Sequence, residues 1–156
     1  MKKLLAILAA IALTGCLFGC SGTPETVTLD PDALVSELQS KITFVEEPFQ
    51  LSENKIGNYY ELPEEGILSA DVYVAGVGAT PEEIAIFQCA DAATANAVKA
   101  ACETRIAEQK EAFVDYVPAE MPKLEDPVIV VKGNWVVMVI SGDDATAEQV
   151  ILSNMK

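Results

Sequence analysis

The sequence predicts an α+β domain: a four-stranded antiparallel sheet made of two hairpins and packed by helices, in the order α-(α)-ββ-α-ββ-α. Three observations carry the prediction. Strand-like runs come in adjacent pairs, 67–75 with 84–89 and 127–132 with 135–141, each joined by a glycine-bearing turn, whereas a parallel sheet would alternate single strands with helices. Between the pairs lies a long alanine-rich stretch with Val98, Cys102, Ile106 and Phe113 along one helical face. Finally, Val136 to Ile140 is apolar at every position, so both faces of that strand need cover, from helices or from a partner.

The elements follow in order. Asp30 is a helix cap and Pro31 suits a first helical position; Leu34, Val35, Leu38 and Ile42 then fall at helical spacing, which predicts a helix over 31–42. Thr43-Phe44-Val45 reads as a brief strand, and 52–60 as a short helix stopped by the turn Pro63-Glu64-Glu65-Gly66. Thr80 and Glu83 match a capping box, yet Ile84-Ala85-Ile86-Phe87 is β-rich and Asp91 caps a better helix, so 84–89 is the return strand of a hairpin. A helix over 91–114, a proline-spaced loop over 116–126 and a hairpin turning at Gly133-Asn134 come next. Asp143-Asp144 caps a last helix with Ala147, Val150, Ile151 and Met155 on one side. The two ββα units do not align as a repeat, so 30–156 is expected to be one domain.

Composition excludes more than it proposes. The chain has 156 residues, 10 Lys plus Arg, 24 Asp plus Glu, no histidine, a formal charge of −14 and 51% apolar residues. Nucleic acid is an unsuitable partner, because phosphate binding needs clustered cations. Without histidine there is no Ser-His or Cys-His pair and no usual zinc ligand.

The N-terminus is the most specific local signal. Lys2-Lys3, an apolar run over 4–13 and then Leu13-Thr14-Gly15-Cys16 form a secretory signal ending in a sequence that resembles a bacterial lipobox. The apolar run is short of the roughly 20 residues that span a bilayer. The reading is a signal peptide over 1–15, a diacylglyceryl-modified Cys16 and a flexible tether over 16–29. Cys20 is the alternative modified residue, disfavoured because bulky Phe18 precedes it. Two acyl chains anchor a protein stably. Cleavage removes Lys2 and Lys3 but no acid, taking the charge from −14 to −16. The expected location is the outer face of the plasma membrane, held there by lipid.

Several stretches also carry a family resemblance: 78–87, Glu108 to Phe113, Asp115-Tyr116-Val117-Pro118, Pro122-Lys123-Leu124 and Lys132 to Val137. Over about 30–152 the chain resembles the bacterial lipoproteins of domain of unknown function 4358, found largely in Clostridia and related Gram-positive bacteria. The resemblance implies a lipobox followed by one small α+β domain. It implies no catalytic residues, since the family has no established activity.

The remaining candidates for chemistry are sparse. Cys89 and Cys102 either form a disulfide, which export permits, or are two small buried hydrophobes, the preferred reading. A catalytic thiol lacks its histidine base. The adjacent acids Glu46-Glu47, Glu64-Glu65, Glu82-Glu83 and Asp143-Asp144 point apart on a strand or about 100° apart on a helix, so adjacency makes no catalytic pair. Gly76-x-Gly78 is a turn, because Pro81 replaces the third glycine of a dinucleotide fingerprint. No metal or cofactor is indicated. Tyr59, Tyr60, Tyr116 and Trp135 form the candidate interaction surface, with core roofing as the competing role. The expected function is a non-catalytic binding module at the cell envelope, its partner an envelope protein, a peptide or a solute. The alternatives are a carboxylate- or metal-dependent envelope enzyme and a structural helper in envelope or spore assembly.

Overall fold

The structure is a computed structural model that describes residues 27–156. The predicted signal peptide, Cys16 and Cys20 lie outside the described residues. Helix α1 (Pro31–Lys41) starts as its sequence dictates: the Asp30 side chain accepts from the Ala33 amide at 3.2 Å, and Pro31 sits in the first turn. Strands β1 (Phe49–Gln50), β2 (Ile67–Val74), β3 (Glu83–Cys89), β4 (Val128–Lys132) and β5 (Trp135–Ile140) form one antiparallel sheet in the order β1-β2-β3-β5-β4. Both predicted hairpins are present, and β3 against β5 joins them at the centre.

The sheet has five strands where four were predicted. The fifth is β1, two exposed residues that extend the edge of β2. Such a strand is too short to show alternation, so only its pairing reveals it. Thr43-Phe44-Val45, read as the brief strand, is irregular. The predicted loop after the long helix is instead a 3-10 segment, Pro118–Leu124. The packed unit also begins ahead of Asp30. Val27 is buried, the Trp135 indole donates to its carbonyl at 3.1 Å, and Thr28 exchanges backbone hydrogen bonds with Lys156 at 2.7 and 3.1 Å.

Helices cover both faces, which answers the demand made by the all-apolar β5. Ile84, Ile86, Val137 and Val139 face α1 and α4 (Asp144–Asn154), alongside Leu34, Leu38, Val150 and Ile151. Ala85, Phe87, Val136 and Met138 face the other way, toward α3 (Ala92–Tyr116) and the short helix α2 (Glu53–Ile56). Asp91 caps α3 and Asp143 caps α4, each accepting from the amide three residues on. Gly133 turns the β4–β5 hairpin with φ 59°, the left-handed region that glycine enters without strain. Gly66 brings the start of β2 against α3, where a Cβ would meet the Thr94 hydroxyl at 2.7 Å.

Candidate functional site

The α3 face of the sheet holds one of two buried carboxylates among the described residues. On β3, alternation turns Glu83 toward α3 together with Ala85 and Phe87, and its side chain is 1% exposed. Its carboxylate accepts from the Tyr60 hydroxyl, from Arg105 Nε at 3.1 Å and Nη2 at 2.8 Å, and from Gln109 Nε2 at 3.5 Å. Arg105 and Gln109 are four apart on α3 and so share a face. Burial works against the Arg105 charge, but Glu83 outweighs it and holds the guanidinium above its ordinary pKa. Burial, then the negative Glu83, pushes the Tyr60 phenol well up, so it stays a donor.

This network reaches the surface through Tyr59. The guanidinium of Arg105 lies over the Tyr59 ring, 4.9 Å from its centre. Tyr59 in turn lines a groove of about 660 Å³ between β1 and α2, with Phe49, Gln50, Leu51, Ser52, Lys55 and Asn58. The groove lining contains a lysine and no carboxylate, in a chain of charge −14. A buried ion pair thus fixes the pose of an aromatic wall in a partly apolar groove, which suits binding by contact.

A second buried carboxylate closes the end of the sheet. Glu82 accepts from Lys123 Nζ at 2.9 Å and from the Val45 amide at 2.7 Å, while Lys123 also reaches Thr80 and Glu120. Burial opposes the Lys123 charge, and its hydrogen bonds to Glu120 and Glu82 overcome that and raise its pKa. The pair pins the 3-10 segment to the start of β3. Glu82 and Glu83 do point apart, each to its own cation.

The family model described as domain of unknown function (DUF4358) matches residues 44–141. The chain belongs to that family. The DUF4358 match runs from just before β1 to just past β5 and includes every residue of the Glu83 network and of the groove, while α1 and α4 lie outside it. No curated protein and no solved structure matches the chain.

Within the DUF4358 domain, the four aromatics singled out from sequence do not make one surface. Tyr59 is half-buried on the groove, but Tyr60 (3% exposed) points inward to Glu83 and stacks edge-on to Phe87. Trp135, expected at an exposed turn, is 5% exposed on the opposite face of the sheet, because its ring fills the gap under Val27. Tyr116 is exposed at the end of α3, against Phe113. Cys89 and Cys102 are separate buried thiols and not a disulfide. Burial and then Glu83 push the Cys102 thiol up to about 12, which keeps it protonated and unreactive at neutral pH. Among the described residues no acid or thiol cluster is arranged to hold a metal ion, and no helix is long and apolar enough to cross a membrane.

Sequence reasoning missed Glu83, Arg105, Gln109 and Lys123. One signal was available. Arg105 is the single arginine in a chain that otherwise uses lysine, and it sits next to Ile106 on the apolar face of α3. Arginine is the cation suited to a buried carboxylate.

Proposed function

We propose that this chain is a lipid-anchored extracytoplasmic lipoprotein on the outer face of the plasma membrane of a Gram-positive cell, and that its domain is a non-catalytic binding module. Cys16 carries the lipid after cleavage of 1–15. The groove walled by Tyr59 and Phe49 receives the ligand, a peptide or solute with an apolar group. One observation carries the binding reading: the buried Glu83–Arg105 pair spends its charge on holding Tyr59 at the groove. An aromatic positioned in advance loses little freedom on contact, which is how small sites gain affinity. Lys55 is the cation of the groove lining and favours a ligand with a negative or neutral polar end.

The test is photocrosslinking in intact cells from a benzophenone amino acid placed at position 59, with position 116 as the comparison. A discrete adduct from 59 and none from 116 is the expected result. Turnover of an envelope substrate that disappears with a single acid-to-amide change would overturn the module in favour of an enzyme. Labelled fatty acid, incorporated by wild type and lost from Cys16→Ser, tests the anchor; label retained in that variant moves the site to Cys20.

A further inference from the structure

We infer that the domain stands on the membrane by one defined end, the end holding the β4–β5 turn and the C-terminus, and presents the opposite end outward; the inference rests on the lipid-anchor reading above. The chain enters the described domain at Val27, and three contacts lock it there. Trp135 Nε1 donates to the Val27 carbonyl, the Thr28 amide donates to the Lys156 carbonyl, and the Lys156 amide donates to the Thr28 carbonyl. Asn134 sits at the same end, exchanging hydrogen bonds with Cys89 at 2.7 and 2.8 Å, as does Gly66, whose carbonyl accepts from Ala90. At the far end stand Val77, 76% exposed in the β2–β3 turn with its amide on Glu46, and Tyr116, 70% exposed at the close of α3.

Length makes this asymmetry matter. Val27 lies eleven positions along the chain from Cys16, with ten residues between. A chain of that length reaches at most about 38 Å when fully stretched. Helix α3, at 25 residues, is about 37 Å long. A lipid on Cys16 therefore holds the Val27 end near the bilayer, while an inverted domain with its far end on the lipid would need the link drawn almost straight. The exposed apolar tip made by Val45, Phe49 and Val77 consequently looks away from the lipid.

The test uses the full lipidated protein with Cys20→Ser as background, since Cys89 and Cys102 are buried. A fluorophore is placed in turn on Lys156→Cys, Glu65→Cys, Val77→Cys and Tyr116→Cys. Each protein is reconstituted in phosphatidylglycerol–phosphatidylethanolamine vesicles containing nitroxide-headgroup lipid. Quenching at 156 and 65 is expected to exceed that at 77 and 116 by at least about threefold, and a Gly-Ser insertion of about 30 residues after Thr23 is expected to shrink that ratio toward one. Equal or reversed quenching in protein that carries acyl label and floats with the vesicles overturns the orientation alone. Protein with Cys16 and Cys20 both intact that carries no acyl group and does not float overturns the lipoprotein reading, and the orientation with it.

Discussion

The two faces of the sheet bury alternate residues of the same strands and yet are covered in different ways. Toward α1 and α4 the core is apolar, and the Trp135 indole donates to the Val27 carbonyl. Toward α3 the core contains Phe87, Val136 and Met138 but also Glu83, Tyr60, Arg105 and Gln109. Apolar packing tolerates volume-conserving exchange, because it is non-directional. A buried ion pair is directional, and removing one partner strands the other. The first face is held by non-directional packing, while the second holds a directional ion pair whose guanidinium also lies over one surface ring, Tyr59. The family match coincides with this division, taking in the polar face and leaving out the helices of the apolar one.

The sharpest way to break the comparison is to cut the buried pair. Glu83→Ala leaves Arg105, whose side chain is 15% exposed, without its carboxylate and is expected to cost about 3–5 kcal/mol in urea unfolding. Glu83→Leu combined with Arg105→Met still leaves the Tyr60 hydroxyl and Gln109 without their acceptor, so it is expected to recover part of that stability and to free Tyr59, so that crosslinking from position 59 falls while the fold survives. If the double variant is as unstable as the single one, the network is a structural necessity and not a positioning device.

The apolar face should respond only through volume. Ile151→Ala is expected to cost about 3 kcal/mol, and Ile151→Val about 1, with crosslinking from position 59 unchanged in both. A loss of crosslinking in the valine variant would show that the two faces are coupled through β3 and β5.

The smallest effect belongs to the helix cap. The backbone and side chain of Thr94 hold the Asp91 carboxyl below its ordinary pKa. A carboxylate with a lowered folded pKa contributes stability above its unfolded pKa and loses it as the pH falls through the folded value. Asp91→Ala is therefore expected to lower the urea midpoint slightly at pH 6 and to match wild type near about pH 2. A difference that persists in acid would assign the effect to backbone preference instead of to the charge.

The legible parts of the molecule are those whose signals are local. Asp30, Asp91 and Asp143 each cap the helix they announce, and the hairpin ending in Gly133-Asn134 has the turn its residues specify. The all-apolar β5 announced cover on both faces. What failed was non-local. Strand β1 exists only by pairing with Val74 and Tyr73, 23 or more residues away. Trp135 reads as a surface residue until Val27 folds over it. Glu83 reads as half of an acidic pair until Arg105, 22 residues on, arrives over the sheet.

The class of the domain and its helix starts and turns are written in short stretches of chain, because they depend on neighbours a few residues apart, and the excess of acid without histidine is plain from composition. The sequence also carries the lipobox-like start. Which acids are buried, which aromatic lines the groove and how Val27 packs under the sheet emerge from the fold. Those depend on what packs across the sheet, and a side chain's environment there is set by partners that lie far away in the chain.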